Sequence, residues 1–529
     1  MRMAFVTMCA ALAVAGAAAQ TIYPTNPDWI SSDVSSVSTG GALVDLNKDG
    51  WLDLVVSNGN DMAQQRVAVY YNRGDGTFPQ YPNWQSADNA YNGHLDVADV
   101  NGDGWPDVAV AYLGEFGTTG PIARVYLNNG GTLSSSPNWS ANVQGNAFGV
   151  DFGDMNGDGR PDLAIATGWP YSNPNAYYNY VYLNVNGQLA ATPSWVSADK
   201  RDYDGVLWVD ADRDGWLDLA MCGCNNDTWI YRNLGGVLET TASWHTTDNT
   251  GQYAIMMATG DVTGDGRRDL FVTDNTQLYS GSGKFRQYNG QPAGYFSTTP
   301  NWFYYNSNHR YGSAVALADV NADGDLDLAT GAWWSKSRLF LNTGSGFGSS
   351  PDWTSGPSSV VEKICFGDID RNGLYLVYEV FPTEPDEPSM FYLARRPVEQ
   401  VVEVRRNGTP LEPHEYTYSA DEGWISAAAG AGYLQVWYRV SSRPDMAITN
   451  WDNNIGNYVY YNRLVTRGDA NCDGTLDGFD IQPFVLLLTD PNAYAAEYFG
   501  CDGPTFCDMN NDGSVDGFDI QPFVEELTG

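Results

Sequence analysis

Basic residues are scarce in this sequence of 529 residues: 27 lysines and arginines face 64 aspartates and glutamates, for a net charge of -37. A chain this acidic is excluded as a binder of nucleic acid or of an anionic membrane surface, both of which need clustered cations. Histidine is scarcer still. His94, His245, His309 and His414 are the only four, and none stands in a nucleophile motif or at zinc spacing. Beyond the N-terminus no apolar run approaches the roughly 20 residues that a membrane span requires. The repeated central part also lacks helical periodicity, which leaves short strands as its building units. What is abundant is apolar and aromatic: 43% hydrophobic and 13% aromatic residues supply ample material for packed cores.

The opening residues, MRMAFVTMCAALAVAGAAAQ, combine an early arginine, an apolar run and a small-residue end. They read as a secretory signal over 1–19, which places the mature chain outside the cell. Of seven cysteines, Cys9 leaves with that signal. Cys472, Cys501 and Cys507 cluster near the C-terminus, where a disulfide suits an oxidising compartment, its pairing left open by the spacing. Cys222 and Cys224 are two apart, a strained spacing for a bridge, and read as packed thiols, while Cys365 reads as a buried strand residue.

The acid is concentrated in one recurring pattern, D-x-[ND]-x-D-G-x-x-D. It appears as DLNKDGWLD (45–53), DVNGDGWPD (99–107), DMNGDGRPD (154–162), DADRDGWLD (210–218) and DVNADGDLD (319–327), and a sixth copy, DVTGDGRRD (261–269), has Thr263 at the third position. The first aspartates stand 54, 55, 56, 51 and 58 residues apart, too regular for chance. The ligand types are those of a hard divalent cation, calcium. The candidate ligands at positions 1, 3, 5 and 9, with a backbone carbonyl at position 7, are Asp45, Asn47, Asp49, Trp51 and Asp53; Asp99, Asn101, Asp103, Trp105 and Asp107; Asp154, Asn156, Asp158, Arg160 and Asp162; Asp210, Asp212, Asp214, Trp216 and Asp218; Asp261, Thr263, Asp265, Arg267 and Asp269; and Asp319, Asn321, Asp323, Asp325 and Asp327. Without a cation, carboxylates packed this closely would repel one another.

The neighbours of each loop recur as well: apolar runs on both sides, a Tyr-rich strand, a glycine turn, and a segment ending in Trp29, Trp84, Trp139, Trp195, Trp244, Trp302 or Trp353. One four-stranded antiparallel unit per period, closing into a ring of seven, predicts an all-β seven-bladed β-propeller. The tryptophans then read as packing between blades. On these loops and flanking runs the chain resembles the FG-GAP/VCBS repeat family, the repeat of integrin α-subunit propellers and of many secreted bacterial proteins. The resemblance implies a cation in the hairpin between the first two strands of each blade.

A seventh loop begins at DIDRNG (368–373) and then stops. Its missing end is RPD (443–445), which opens RPDMAITNW, a near copy of RPDLAIATGW (160–169). Asp368, Asp370, Asn372 and Asp445 are therefore expected together as a split seventh site. The 69 residues between, 374–442, alternate as strands and read as a small β domain inserted at a loop tip. The propeller then comprises 20–373 and 443–464, with the strand around Trp29 completing the last blade.

After Arg467 the pattern changes. DANCDGTLDGFD (469–480) and DMNNDGSVDGFD (508–519) are duplicates 39 residues apart, each leading into IQPFV and a short helix. Asp469, Asn471, Asp473, Thr475, Asp477 and Asp480, and again Asp508, Asn510, Asp512, Ser514, Asp516 and Asp519, fill positions 1, 3, 5, 7, 9 and 12 of an EF-hand-type loop. The pair, over 468–529, resembles a dockerin, a small α-helical calcium module, and implies a cohesin-like or cell-surface partner. Where dockerins often carry partner-reading polar residues, this chain has Gly478-Phe479 and Gly517-Phe518. Eight or nine calcium ions, one per loop, offset about half of the negative charge.

On the face opposite the acidic hairpins the connecting loops carry Trp169, Tyr171, Tyr203, His309, Arg310, Tyr311, Trp333 and Trp334, with Arg201 and Asp202 beside them. Aromatic and polar residues in this mixture stack sugars or grip a protein loop, and they also pack loops. No acid or base for glycoside hydrolysis or lyase chemistry is singled out among Asp202, Asp204 and Glu115. The sequence thus reads as a secreted calcium-binding propeller serving as a binding or adhesion module for a carbohydrate or protein ligand. The alternative is a carbohydrate-active enzyme of polysaccharide catabolism.

Overall fold

The computed structural model describes residues 22–528 except 116–117, 169–176, 225, 249–252, 278–280, 345, 386, 388, 465, 499–500 and 511–512. The signal segment, Trp169, Tyr171 and Asp512 lie outside the described residues. The chain is mostly β, and seven of its four-stranded sheets share one antiparallel meander.

Sequence landmarks fall at the same place in each of these sheets. The first strands are Ser38–Val44, Asn92–Ala98, Ala147–Gly153, Gly205–Val209, Met257–Gly260, Gly312–Ala318 and Val361–Gly367. The second strands are Asp53–Asn58, Asp107–Tyr112, Asp162–Thr167, Asp218–Cys222, Asp269–Val272, Asp327–Ala332 and Asp445–Asn450, so every one starts on the ninth loop aspartate. Every fourth strand starts on tryptophan: Trp84–Gln85, Trp139–Ser140, Trp195–Val196, Trp244–His245, Trp302–Tyr305, Trp353–Thr354 and, for the last sheet, Trp29–Ile30. The second strands are buried on both faces, which explains why they read as continuous apolar runs without alternation.

Each first strand touches the first strand of the next sheet, and Val361–Gly367 touches Ser38–Val44. The last sheet is assembled from distant chain. Trp29 pairs with Val459, Met446 with Tyr460, and Gly367 with Asp445. Indole N–H groups staple neighbouring sheets: Trp29 donates to Phe78 O (3.1 Å), Trp195 to Glu239 O (3.0 Å) and Trp353 to Pro24 O (3.2 Å). Trp29, Trp139 and Trp195 also meet Tyr70, Tyr182 and Tyr231 edge-on at 5.5, 5.0 and 5.1 Å.

Residues 374–442 form two small sheets on the face that carries the acidic hairpins. Leu374–Thr383 pairs along its whole length with Gly432–Ser441, which brings the two ends of the insert together. A three-stranded sheet of Ser389–Tyr392, Trp424–Ala427 and Tyr416–Ser419 lies beside it. This insert grips several hairpins: Ser426 Oγ donates to Asp154 Oδ2 (2.7 Å), Asp210 N to Tyr392 Oη (2.9 Å) and Asp368 N to Glu399 Oε1 (2.8 Å). Glu422, nearly buried, gathers Thr259 Oγ1 (2.5 Å), the Arg268 guanidinium (2.7 Å) and the Arg396 guanidinium (3.6 Å).

The C-terminal module contains helices α1 (Ile481–Thr489), α2 (Pro491–Glu497), α3 (Gly503–Cys507) and α4 (Ile520–Thr528). Its core is duplicated like its sequence, with Phe484 and Phe523 stacked at 4.1 Å. Cys472 and Cys501 form a disulfide, and Cys507 is a buried free thiol, as are Cys222, Cys224 and Cys365. The module lies against the split sheet, with Gly373 bridging to Cys501 and the Arg443 guanidinium over Phe506 at 4.3 Å. No helix among the described residues is long and apolar enough to cross a membrane.

Because Trp29 joins a strand from one end of the chain to one from the other, its loss opens the last sheet. Trp29→Ala should destabilise the protein by roughly 3–5 kcal/mol, read from the urea midpoint. An unmoved midpoint would contradict closure through this strand.

Candidate functional site

The acidic loops share one backbone shape. Position 4 takes a left-handed conformation in each, at Lys48, Gly102, Gly157, Arg213, Gly264, Ala322 and Arg371, and position 6 does so at Gly50, Gly104, Gly159, Gly215, Gly266 and Gly324. Glycine is favoured there because a Cβ resists that region. The curl brings the position-1 carboxylate under the N–H of position 6, as in Gly50 to Asp45 (2.9 Å), Gly104 to Asp99 (2.6 Å), Gly159 to Asp154 (2.8 Å) and Gly266 to Asp261 (2.7 Å). Candidate ligands at positions 3 and 5 cluster over the same turn.

Among the described residues of the acidic loops, two groups come together closely enough to share one ion. They are Asp210, Asp212 and Asp218, and Asp368, Asp370 and Asp445, with one carboxylate oxygen from each residue within 4.8 Å of the others in its group. The second group rejoins the halves of the interrupted loop. Asp445 Oδ2 accepts from Ile369 N (2.9 Å) as though no insert intervened. The same curl returns in the C-terminal loops, where Asp469 accepts from Gly474 N (2.9 Å) and Asp508 from Gly513 N (2.8 Å). Asp480 Oδ1 there accepts from Ala470 N (2.8 Å) and Asn471 N (3.1 Å), closing the loop onto α1.

The atoms left over test the fit to a divalent cation. Asp319 Oδ1, Asp370 Oδ1, Asn372 Oδ1 and Asp469 Oδ1 are buried without a hydrogen-bond partner, and all are hard oxygen donors. Burial, aided by neighbouring aspartates, pushes the carboxyls of Asp53 and Asp107 up to about 7 and those of Asp218 and Asp327 up to about 8. Asp370 is pushed up to about 8 by burial and by Asp368. These loops hold more negative charge than they can ionise unaided, and a bound cation reverses that balance.

On the opposite face, Trp333 (buried), Trp334 and Trp451 line a cavity of about 170 Å³ together with Tyr253, Met62 and Asp61. The walls come from the ends of several sheets. Trp333 meets Trp451 at 4.9 Å and Trp334 at 5.9 Å, and Tyr311 meets Trp334 at 5.6 Å. Trp333 Nε1 donates to Glu362 Oε1 (2.8 Å), which fixes that indole. Trp334 is 57% exposed and sits at φ 53°, an uncommon conformation for a bulky residue and one found at functional sites.

The other predicted ligand residues divide. Arg310, exposed, donates from Nη2 to Tyr311 Oη (2.8 Å), at the rim of this cluster. Tyr203 and His309 are corrected: both are wholly buried core residues. His309 Nδ1 contacts Ser335 Oγ (2.9 Å) and Nε2 contacts Thr330 Oγ1 (3.1 Å), with the ring stacked on Phe285, so the imidazole serves packing. The misreading arose because their loops fold inward between sheets.

A family pattern described as an FG-GAP-like repeat matches residues 45–110, 113–165, 210–272, 261–330 and 319–374. The chain belongs to the FG-GAP-like repeat family. Human integrin alpha-6 is 29% identical over 147 residues, which are 26% of this chain and 13% of that protein. Integrin alpha-4 of Xenopus laevis is 32% identical over 139 residues, again 13% of its own length and 23% of this chain. The chain thus spans 13% of the length of each of these relatives. Among solved structures, the BBS1N chain in complex with ARL6DN has a TM-score of 0.41 and 10% identity, covering 79% of this chain and 97% of that one, a likeness too loose to carry an argument.

Within this FG-GAP-like repeat, sequence reading missed the residue that links the sheets. Asn72, Asn128, Asn184, Asn233, Asn342 and Asn462 follow the third strands, and all are buried. Each side-chain amide donates to the carbonyl at position 2 of the previous sheet's acidic loop, as in Asn184 to Val100 O (2.7 Å), Asn233 to Met155 O (2.8 Å) and Asn462 to Val320 O (2.8 Å). Each main-chain N–H meanwhile donates to the ninth aspartate of its own sheet, as Asn184 N does to Asp162 Oδ1 (2.7 Å). The signal was present in VAVYYN, YVYLN and YVYYN. The fifth sheet has Gly290 in that place, and Tyr295 N reaches Ala211 O (2.6 Å) in its stead.

Asn184→Ala should cost about 2 kcal/mol by stranding buried carbonyls, whereas a cost under a few tenths would deny the link. Metal-free protein should lose stability as pH rises. The carboxyls of Asp53, Asp107, Asp218 and Asp327 have folded values raised above their unfolded values, so their contribution is complete below about pH 4 and falls away through pH 7–8. Added calcium should therefore raise the melting temperature more at pH 8 than at pH 5. An equal gain at both would count against this electrostatic account.

Proposed function

We propose that this protein is an extracellular, calcium-stabilised, seven-bladed β-propeller that binds a carbohydrate or protein ligand through the aromatic cavity opposite its acidic hairpins. The observation that carries the binding role is the convergence of Trp333, Trp334, Trp451 and Tyr253, from three sheets, around one cavity, with Trp334 half-exposed in a strained backbone. Flat aromatic faces with few hydrogen-bond groups suit sugar rings or an apolar side chain. The contacts of first strands around a complete circuit support seven blades. Calcium would be held by the position-1, 3, 5 and 9 side chains of the hairpins and by both C-terminal loops, where it supplies charge neutralisation and rigidity rather than chemistry.

The C-terminal pair is assigned a dockerin-like role: a calcium-folded tail that attaches the propeller to a cohesin-like or cell-surface partner. Phe479 and Phe518 are 78% and 77% exposed at equivalent places in the two loops, and Ile481 and Ile520 follow them at the helix starts, which supports a partner-facing surface. The relatives' names as integrin α-subunits fit an adhesive role outside the cell. On this reading the insert caps the metal face and the opposite face receives the ligand.

Glycan-array and peptide-library binding should give a ligand whose affinity falls at least about tenfold in Trp334→Ala, since a stacked aromatic is worth 1–3 kcal/mol. Release of reducing or unsaturated ends from a polysaccharide by the same sample would overturn the binding reading in favour of an enzyme. Unchanged affinity in Trp334→Ala would move the ligand elsewhere.

A further inference from the structure

A second cluster of metal-ligating atoms lies apart from the acidic hairpins. Asp202 and Asp204 precede the first strand of the fourth sheet, Gly205–Val209, and Cys224 follows the second, Asp218–Cys222. Both positions are at the ends of those strands away from the hairpin of Asp210–Asp218. One ligand atom from each of Asp202, Asp204 and Cys224 lies within 4.8 Å of the others, and all three side chains are completely buried.

Two observations set this cluster apart from an ordinary buried hydrogen-bond group. Asp204 Oδ2 accepts from Cys224 Sγ (3.2 Å), while Asp204 Oδ1 has no partner although it is buried. No lysine or arginine among the described residues forms an ion pair with Asp204, so its charge has no protein counterion. Independently, Glu362 is also completely buried with Oε2 unpartnered, and it lies near enough to Asp204 for the two charges to oppose one another. Leaving two such oxygens buried and unsatisfied is costly unless a bound group satisfies them.

The donor set identifies what that something is. Calcium and magnesium take oxygen alone, and the thiol of Cys224 does not serve them. Two carboxylates and a thiolate suit a borderline divalent metal that accepts both oxygen and sulfur, with zinc the common case. We propose that Asp202, Asp204 and Cys224 bind one zinc-class metal ion inside the ring, on the side of the aromatic cavity. Binding releases the thiol proton of Cys224 to solvent and forms a metal–sulfur bond, with no change of oxidation state. This site stands whether or not the cavity's ligand is a sugar.

The test uses the full chain expressed in cobalt-supplemented medium and purified in excess calcium, which keeps the hairpin loops filled with calcium. The expected result is one cobalt per chain with a thiolate-to-cobalt charge-transfer absorption in the near ultraviolet, lost in Cys224→Ser and kept in Cys365→Ser. Oxygen-only loops give no such band. Should Cys224→Ser fail to fold, Asp204→Asn should retain cobalt at least about tenfold less well than the parent. Absence of the band from the folded parent, its persistence in Cys224→Ser, or undiminished retention in Asp204→Asn would each overturn the site.

Discussion

In every sheet of the repeat a buried aspartate at the ninth loop position stands at the start of the second strand. Its two oxygens accept N–H groups from the hairpin on one side and from the end of the third strand on the other, as Asp162 does from Met155 N and Asn184 N. In six of the seven sheets the donor there is an asparagine, whose amide also reaches into the hairpin of the preceding sheet. One carboxylate thus fixes the acidic turn, the sheet and, through asparagine, the preceding sheet of the ring. Loop geometry is therefore not a local property: a disturbed hairpin loosens its neighbour too.

This chain of bonds gives the acidic loops a structural meaning beyond a set of candidate ligands. The carboxylates are held by backbone N–H groups before any ion is considered, so the turn is pre-shaped and the residual cost is electrostatic. A cation relieves that cost, and the insert adds to the same end by placing Ser426, Tyr392 and Glu399 against three hairpins. The acidic face and the opposite face thereby differ in character. One is closed and charged, and the other is open and aromatic.

The repeat was legible because its demands are local. A left-handed turn at position 6 selects glycine, a cation selects carboxylates at fixed spacing, and a strand packed on both faces selects an apolar run. The split seventh loop was legible for the same reason: DIDRNG and RPD each carry half of one local pattern, and Asp445 meets Ile369 N where that pattern requires. Aromatic loop residues carry no such rule. Tyr203, His309 and Trp334 look alike in sequence, but two are core and one is surface, because that depends on how neighbouring sheets close over each loop.

The sequence by itself determined the repeat, its acidic turns, the interruption at 374–442 and the duplicated tail, since each follows from spacing and residue type within a few dozen positions. Tertiary structure alone decided which aromatic residues meet around the cavity, which cysteine pairs with Cys472, and that Asp202, Asp204 and Cys224 share one buried space. Those groupings join residues on separate strands, helices or loops, and only the packing of the folded chain sets the distances between them.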